Sequence, residues 1–303
     1  MDSIPGELID ATVYYLTVIV VCEATRHVAD RVFDKKGTAH RFLIEFLGTL
    51  QVTTTIYENG TAHRFLIEFL GTLQVTTTIY ENAVVDIHLG RQAFAFTLFS
   101  MGIVFALCNR TAFCSPLPVL EQFVFGKLKF SEVLQALAAQ FSAGYLAFAF
   151  ARNIWLRAYS TTEAHSDVLG MFESCGFNHP YPIYYHLAFE LVGTFIVRHV
   201  LSRATADSRD HRIRFIFPAL FMSAVFTATV TYVGDQALDP LVAATLFYGC
   251  RGLTFQYFVA VYWVAPTIGW MASAYWDSLG EESAKKKLAK EKKAEKKRAK
   301  KTD

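Results

Sequence analysis

Two stretches decide the fold: Ile67-Glu68-Phe69-Leu70-Gly71-Thr72 and Phe189-Glu190-Leu191-Val192-Gly193-Thr194. Each sets a glutamate inside an apolar run and follows it, two residues on, with Gly-Thr. Each is answered downstream by a Pro-Leu pair, 48 residues after Glu68 at Pro116-Leu117 and 50 residues after Glu190 at Pro240-Leu241. The spacing agrees to two residues across segments that are otherwise dissimilar, so the chain reads as two related halves. A glutamate within an apolar span, followed by a Pro-initiated apolar segment, is the plan of membrane proteins built from inverted repeats with broken helices that meet at mid-bilayer. That plan belongs to pores and transporters.

Composition agrees. The chain has 303 residues, 53% hydrophobic and 15% aromatic, with positive mean hydropathy, which is too apolar for an ordinary soluble domain. Uncharged runs at 92–109, 133–151, 215–234 and 252–276 each approach the ~20 residues needed to cross the hydrocarbon layer. Two further spans, 65–80 and 183–202, carry Glu68 and Glu190. A carboxylate at that depth is costly unless it faces the bundle and meets donors, so both glutamates are expected to point inward. The expectation is an all-α membrane protein of six transmembrane helices and two re-entrant half-helices in two inverted repeats. It divides into an N-terminal appendage at 1–63, a first repeat at 64–152, a second at 183–276 and a basic tail at 277–303. The run at 11–22 is short for a span and reads as an interfacial helix.

Charge gives the orientation. Segments 23–41, 110–132, 198–214 and 281–303 together hold 24 Lys and Arg, against 4 in 81–91, 152–182 and 235–251. The positive-inside rule therefore places both ends of the six-span unit in the cytoplasm. The net charge of +2 conceals this, because the last 23 residues alone carry +6.

Residues 37–59 and 60–82 are the same 23-residue sequence without one change. Old fold repeats drift, so this is a recent tandem duplication or an exon counted twice. Only one copy fits six-span parity, and the second gives the spacing that matches the other half. The copy at 37–59 is thus expected outside the bundle.

With these motifs in hand, the chain resembles the aquaporin (major intrinsic protein) family, and in particular its divergent intracellular superaquaporin subfamily. The resemblance runs from about His63 to Trp276 and rests on the paired glutamate helices, on Gln140 and Gly144 in AQFSAGYLA, and on Val261-Tyr262-Trp263 followed by Pro266 and Gly269. Cys250, nine residues after Leu241, matches the subfamily's cysteine. The family carries Asn-Pro-Ala at both half-helix starts; here the triplets are Ser115-Pro116-Leu117 and Asp239-Pro240-Leu241. The water-selective filter arginine is replaced by Val242, and no histidine occurs in 215–234. Ser and Asp still cap helix N-termini, and Pro is well placed just after a cap, so both half-helices can form. Ser115 keeps a donor, whereas an ionised Asp239 is acceptor-only and opposes the positive field that excludes cations.

The resemblance implies a passive channel for water or small neutral solutes such as glycerol and hydrogen peroxide, surrounded by membrane lipid and assembled as a homotetramer. The alternative is a closed-pore structural or partner-binding protein on the same fold. A structural role for Glu68 and Glu190, tying the half-helix loops, is favoured over solute contact. No phosphate loop, zinc-protease motif or nucleophile elbow is present, so no enzyme and no cofactor are expected. Five cysteines without paired spacing imply no disulfide framework, and Cys175-x-x-x-His179 reads as a loop rather than a metal site. The Lys-rich tail lacks the aromatic interleaving of a nucleic-acid binder. Its end, Lys300-Lys301-Thr302-Asp303, has the dilysine arrangement of retrieval to the endoplasmic reticulum.

Overall fold

The computed structural model describes residues 12–13, 15–21, 23–24, 59–109, 112–158, 163–177, 181–206, 211–234 and 236–280. Positions 37–58 of the duplicated block and the tail from 281, with Lys300 and Lys301, lie outside the described residues. Among those described, the protein is helical throughout, with one isolated bridge between Gly176 and Arg251.

Helix α1 (Asn59–Cys108) is interrupted at Gly90, whose φ of 82° and ψ of 175° break the helical path. The expected spans at 65–80 and 92–109 fall on either side of that glycine. A single non-helical residue therefore makes the connection for which the sequence suggested a loop. Helix α2 (Pro116–Val124) is short, α3 (Phe130–Ala158) is long, and α4 (Glu163–Glu173) occupies a stretch read from sequence as connection. The second half repeats the order with α5 (Ile183–Ala206), α6 (His211–Tyr232) and the short α7 (Pro240–Phe247). It ends in α8 (Phe255–Val259), a π-helical turn over Ala260–Val264, and helix over 265–280. The π turn ends at Val264, just before Ala265-Pro266; Pro266 has no N–H to donate, and Ala265 reaches back to the Ala260 carbonyl.

Two helices, over Arg64–Cys108 and Phe130–Arg157, are long and apolar enough to cross a membrane, and the apolar Ile216–Tyr232 is shorter. Small residues let the helices approach. Ala139, Ala143, Ala147 and Ala151 recur every four positions on α3 and are all fully buried, the kind of stripe that lets backbones pack closely in lipid. The first core cluster gathers three of these alanines with Leu73, Tyr80 and Trp155; the second centres on Ala243, Phe258 and Tyr262. Polar side chains inside α1 are satisfied locally: Thr76 and Thr77 donate to the carbonyls of Thr72 and Leu73, both at 2.7 Å. Such back-bonding makes buried hydroxyls tolerable away from water. The N-terminal stretch at 12–24 is helical where described, and its Tyr15 and Val18 are buried against the first cluster. Tyr15 donates to Asn82 Oδ1 at 2.5 Å.

Candidate functional site

The two short helices begin in the same way. Ser115 and Asp239 both have extended backbone and cap their helices, Ser115 by accepting from the Leu117 N–H and Asp239 by accepting from the N–H groups of Leu241 and Val242 at 2.8 and 3.0 Å. Pro116 and Pro240 follow at the first helical position, where no intrahelical donor is lost. Leu117 and Leu241 are each about 1% exposed and anchor the helices in the interior.

One residue ahead of each cap the chain takes a left-handed turn, at Cys114 (φ 53°) and Leu238 (φ 54°). Non-glycine residues there cost about 1–3 kcal/mol each. The buried glutamates offset that cost. Glu68 accepts from the N–H groups of Phe113 and Cys114 at 2.9 and 2.7 Å, and Glu190 from those of Ala237 and Leu238 at 2.8 and 2.9 Å. A hydrogen bond to a charged group contributes roughly 1.5–3 kcal/mol, so a pair of them exceeds the backbone strain it holds. In the first half Gln140 adds a third donor, giving its Nε2–H to Glu68 Oε1 at 2.7 Å and to the Ser115 carbonyl at 3.0 Å. In the second half Gln236 contacts the His186 ring nitrogen, one turn before Glu190.

Glycines let the helices come close enough for this. A Cβ on Gly193 would sit 2.6 Å from Leu238 Cδ2, and one on Gly269 only 2.0 Å from the Leu191 carbonyl oxygen. Gly193 after Glu190 thus seats the loop that the glutamate holds, and Gly269 lets the last helix cross α5.

The caps themselves meet. Ser115 donates its hydroxyl proton to Asp239 Oδ2, so the N-termini of α2 and α7 are joined through their capping side chains. Both residues are half-buried. Each helix end presents positive partial charge, and Asp239 lies where the two fields converge. Val242 packs beside the second cluster. A cavity of about 170 Å³ lies elsewhere, beside Glu68 and lined by Arg64, Phe113 and Glu132 among others; neither cap lines it.

Three further arrangements carry no sequence signature. Arg198 forms a two-pronged contact with Glu121, at 2.8 and 3.1 Å, and reaches Asp277 at 2.5 Å and the Ser273 carbonyl at 3.1 Å. Buried Glu81 accepts from Trp155 Nε1 at 2.8 Å and lies 3.2 Å from His165 Nε2, which ties α4 to α1. Cys250 is disulfide-bonded to Cys175. The absence of a disulfide framework inferred from cysteine spacing is therefore corrected: the partners are 75 residues apart, and only the fold brings their Cα atoms to 5.0 Å. Cys108 and Cys114 form no disulfide. Among the described residues no cluster of three or more metal-ligating side chains occurs.

No protein-family model matches the chain. It is 35% identical over 291 residues to a Caenorhabditis elegans protein named aquaporin-10, an alignment covering 95% of this chain and 93% of the relative. It is 23% identical over 266 residues to an aquaporin-11 of the tardigrade Milnesium tardigradum, covering 86% and 84%.

Proposed function

The chain belongs to the aquaporin family, and on that premise we propose that it is a passive pore for water and small neutral solutes, glycerol and hydrogen peroxide among them, in an intracellular membrane. The family makes it a membrane channel rather than an enzyme. The observation that carries the proposal is the facing of two capped short-helix N-termini, each held by a buried glutamate. Two half-helices meeting at mid-membrane define a pore whose selectivity comes from lining donors and helix dipoles. In this reading α2 and α7 are the re-entrant halves, six spans surround them, and the repeats occupy 64–152 and 183–276.

The basic segments and tail face the cytoplasm. The Cys175–Cys250 disulfide supports that orientation, because both cysteines fall in the segments poor in Lys and Arg, on the face where an oxidising lumen permits the bond. The dilysine at Lys300 and Lys301 supports residence in the endoplasmic reticulum, and the family supports a homotetramer in lipid. Without the filter arginine and with Asp239 at the centre, the pore takes small neutral solutes and is poorly guarded against cations. A second reading, a closed pore on a structural or partner-binding protein, is favoured by the direct Ser115–Asp239 contact.

Stopped-flow light scattering of vesicles containing the purified full chain, with water, glycerol and peroxide gradients, separates the two. Solute flux above empty vesicles is the expected result. Folded protein that passes none of the three solutes establishes the closed pore.

A further inference from the structure

We propose that the Cys175–Cys250 disulfide is a thiol-exchangeable latch on the far end of α7, so that its reduction loosens the Ser115–Asp239 junction and raises permeation; this rests on the channel reading above. Helix α7 is a short rod, about 12 Å from end to end. At its start Asp239 meets Ser115. Three residues past its end stands Cys250, whose N–H donates to the Phe247 carbonyl at 3.2 Å and whose sulfur lies 3.6 Å from the Leu246 carbonyl. A force on Cys250 is therefore a force on α7.

The disulfide attaches that end to the segment that follows α4. Beside it, Arg251 donates its N–H to the Cys175 carbonyl at 3.1 Å, and Phe177 donates to the Arg251 carbonyl at 2.7 Å. The Phe177 ring packs edge-on against Phe247 at 5.3 Å between ring centres. Apart from these contacts, Tyr80 holds the same end of α7 through the Thr245 carbonyl at 2.8 Å. The other end of α4 is fastened separately, by His165 to Glu81 of the first half. Breaking the disulfide thus removes the covalent tie at one end of a strap, leaving there only the backbone bonds of Arg251 and Phe177 and the Phe177–Phe247 contact, while the other end stays fixed. The change starts at 174–177 and 248–252 and passes along α7 to Asp239, while the rest of the bundle stands.

The two sulfurs differ in access. Cys250 is 6% exposed, whereas Cys175 is half-buried between the exposed Ser174 and Gly176. An incoming thiolate of a dithiol reductant therefore attacks the Cys175 sulfur, forming a mixed disulfide there and expelling Cys250 as thiolate. The reductant's second thiol then attacks its own sulfur in the mixed disulfide and releases Cys175. The dithiol is oxidised to a disulfide, the protein disulfide is reduced by two electrons, and two protons pass to the cysteine sulfurs. The natural reductant is a dithiol of the compartment facing this surface.

The test uses the full chain in vesicles, with dithiothreitol as the probe and peptide-resolved alkylation to count thiols. Glycerol permeability should rise at least twofold when Cys175 and Cys250 become alkylatable, and fall back on reoxidation. Cys175→Ser should sit at the reduced value and ignore dithiothreitol. Hydrogen exchange at the amides of Phe177 and Arg251 should quicken on reduction while that of α4 does not. Unchanged permeability with both thiols titrated shows a static brace and overturns the proposal. Alkylation of both cysteines without reductant removes the disulfide itself. If neither redox form conducts, the channel reading falls, and the latch is then judged on exchange alone: unquickened Phe177 and Arg251 overturn it as well.

Discussion

Cys114 and Leu238 share one backbone conformation, at φ 53° and 54°, each a single residue ahead of a helix-capping side chain and each giving its N–H to a buried glutamate. The glutamates hold shape in both halves. Glu190→Gln keeps the side-chain volume but leaves one acceptor where two backbone donors point, so either Ala237 or Leu238 faces an amide NH₂. A buried donor left without an acceptor costs about 1–3 kcal/mol. The variant should melt at lower temperature in detergent, and limited proteolysis should cut first near 236–239. An unchanged melting temperature would show that the loop is held by its own packing.

Helix approach is tested at Gly269. The Leu191 carbonyl oxygen stands 2.0 Å from where its Cβ would be, and Thr194 Oγ1 stands 2.4 Å away. Backbone cannot swing aside as a side chain can, so Gly269→Ala must separate the last helix from α5. Overpacking of this kind costs about 1–3 kcal/mol, occasionally more. The expected readout is a reduced yield of monodisperse protein, with a loss of stability larger than for Ala at Gly170, where a Cβ meets nothing. Equal losses at the two sites would contradict the close crossing.

The parts of this architecture that sequence exposes are those carried by local chemistry. Glu68 and Glu190 stand out because a carboxylate in an apolar run needs donors, and Ser115-Pro116 and Asp239-Pro240 because a cap followed by proline marks a helix start. The rest depends on distance in space. Nothing in the spacing of Cys175 and Cys250 pairs them across 75 residues. The repeat plan brings the two half-helix starts together, but the direct hydrogen bond between the Ser115 and Asp239 caps, 124 positions apart, is set only by the fold. Helix α4 is hard to read because its apolar face is short: Ala164 and Val168 are buried in the first cluster, and His165 is buried against Glu81 and Trp155. The break at Gly90 is a single residue and leaves no cluster of turn formers to announce it.

Arg198 tests the bond between halves. Its guanidinium spans Glu121 on α2 and Asp277 in the last helix, while Trp270 Nε1 donates to Glu121 Oε2 at 2.7 Å. An ammonium is a point charge and cannot reproduce the fork, so Arg198→Lys should keep one carboxylate and lose the other. Truncation to Ala leaves Glu121 with Trp270 and Asp277 with Arg203 and Ser202 but removes the cation between them; breaking such a pair costs up to about 3–5 kcal/mol when fully buried, and less here because Arg198 keeps some exposure and Asp277 keeps Arg203. The expected order of melting temperatures is wild type, then Lys, then Ala. Indistinguishable Lys and wild-type proteins would show that a single charge suffices.

Asp239 tests how the proposed pore treats cations. Its Oδ1 caps α7 and its Oδ2 accepts the hydrogen bond of the Ser115 hydroxyl, so its ionised form sets a negative charge where two helix N-termini would otherwise present only donors. Asp239→Asn is nearly isosteric, and its Oδ1 can still accept from Leu241 and Val242. The new amide NH₂ then faces Ser115, whose hydroxyl turns from donor to acceptor. The fold should persist, with a stability change below about 1 kcal/mol, because Asn and Asp rank together as caps. The electrostatic change is larger: a unit charge about 4 Å from a permeant cation contributes on the order of 4 kcal/mol at an effective dielectric constant near 20. Even half of that, about 2 kcal/mol, corresponds to more than a tenfold change in occupancy. Proton and potassium leak into vesicles should therefore fall about tenfold or more, while water flux persists or rises. Equal leak and equal flux in the two proteins would mean that Asp239 does not face the conducting path and that the α7 N-terminus is not part of the pore. Absence of any flux in both, with the fold intact, would leave Ser115 and Asp239 as the clasp of a closed channel.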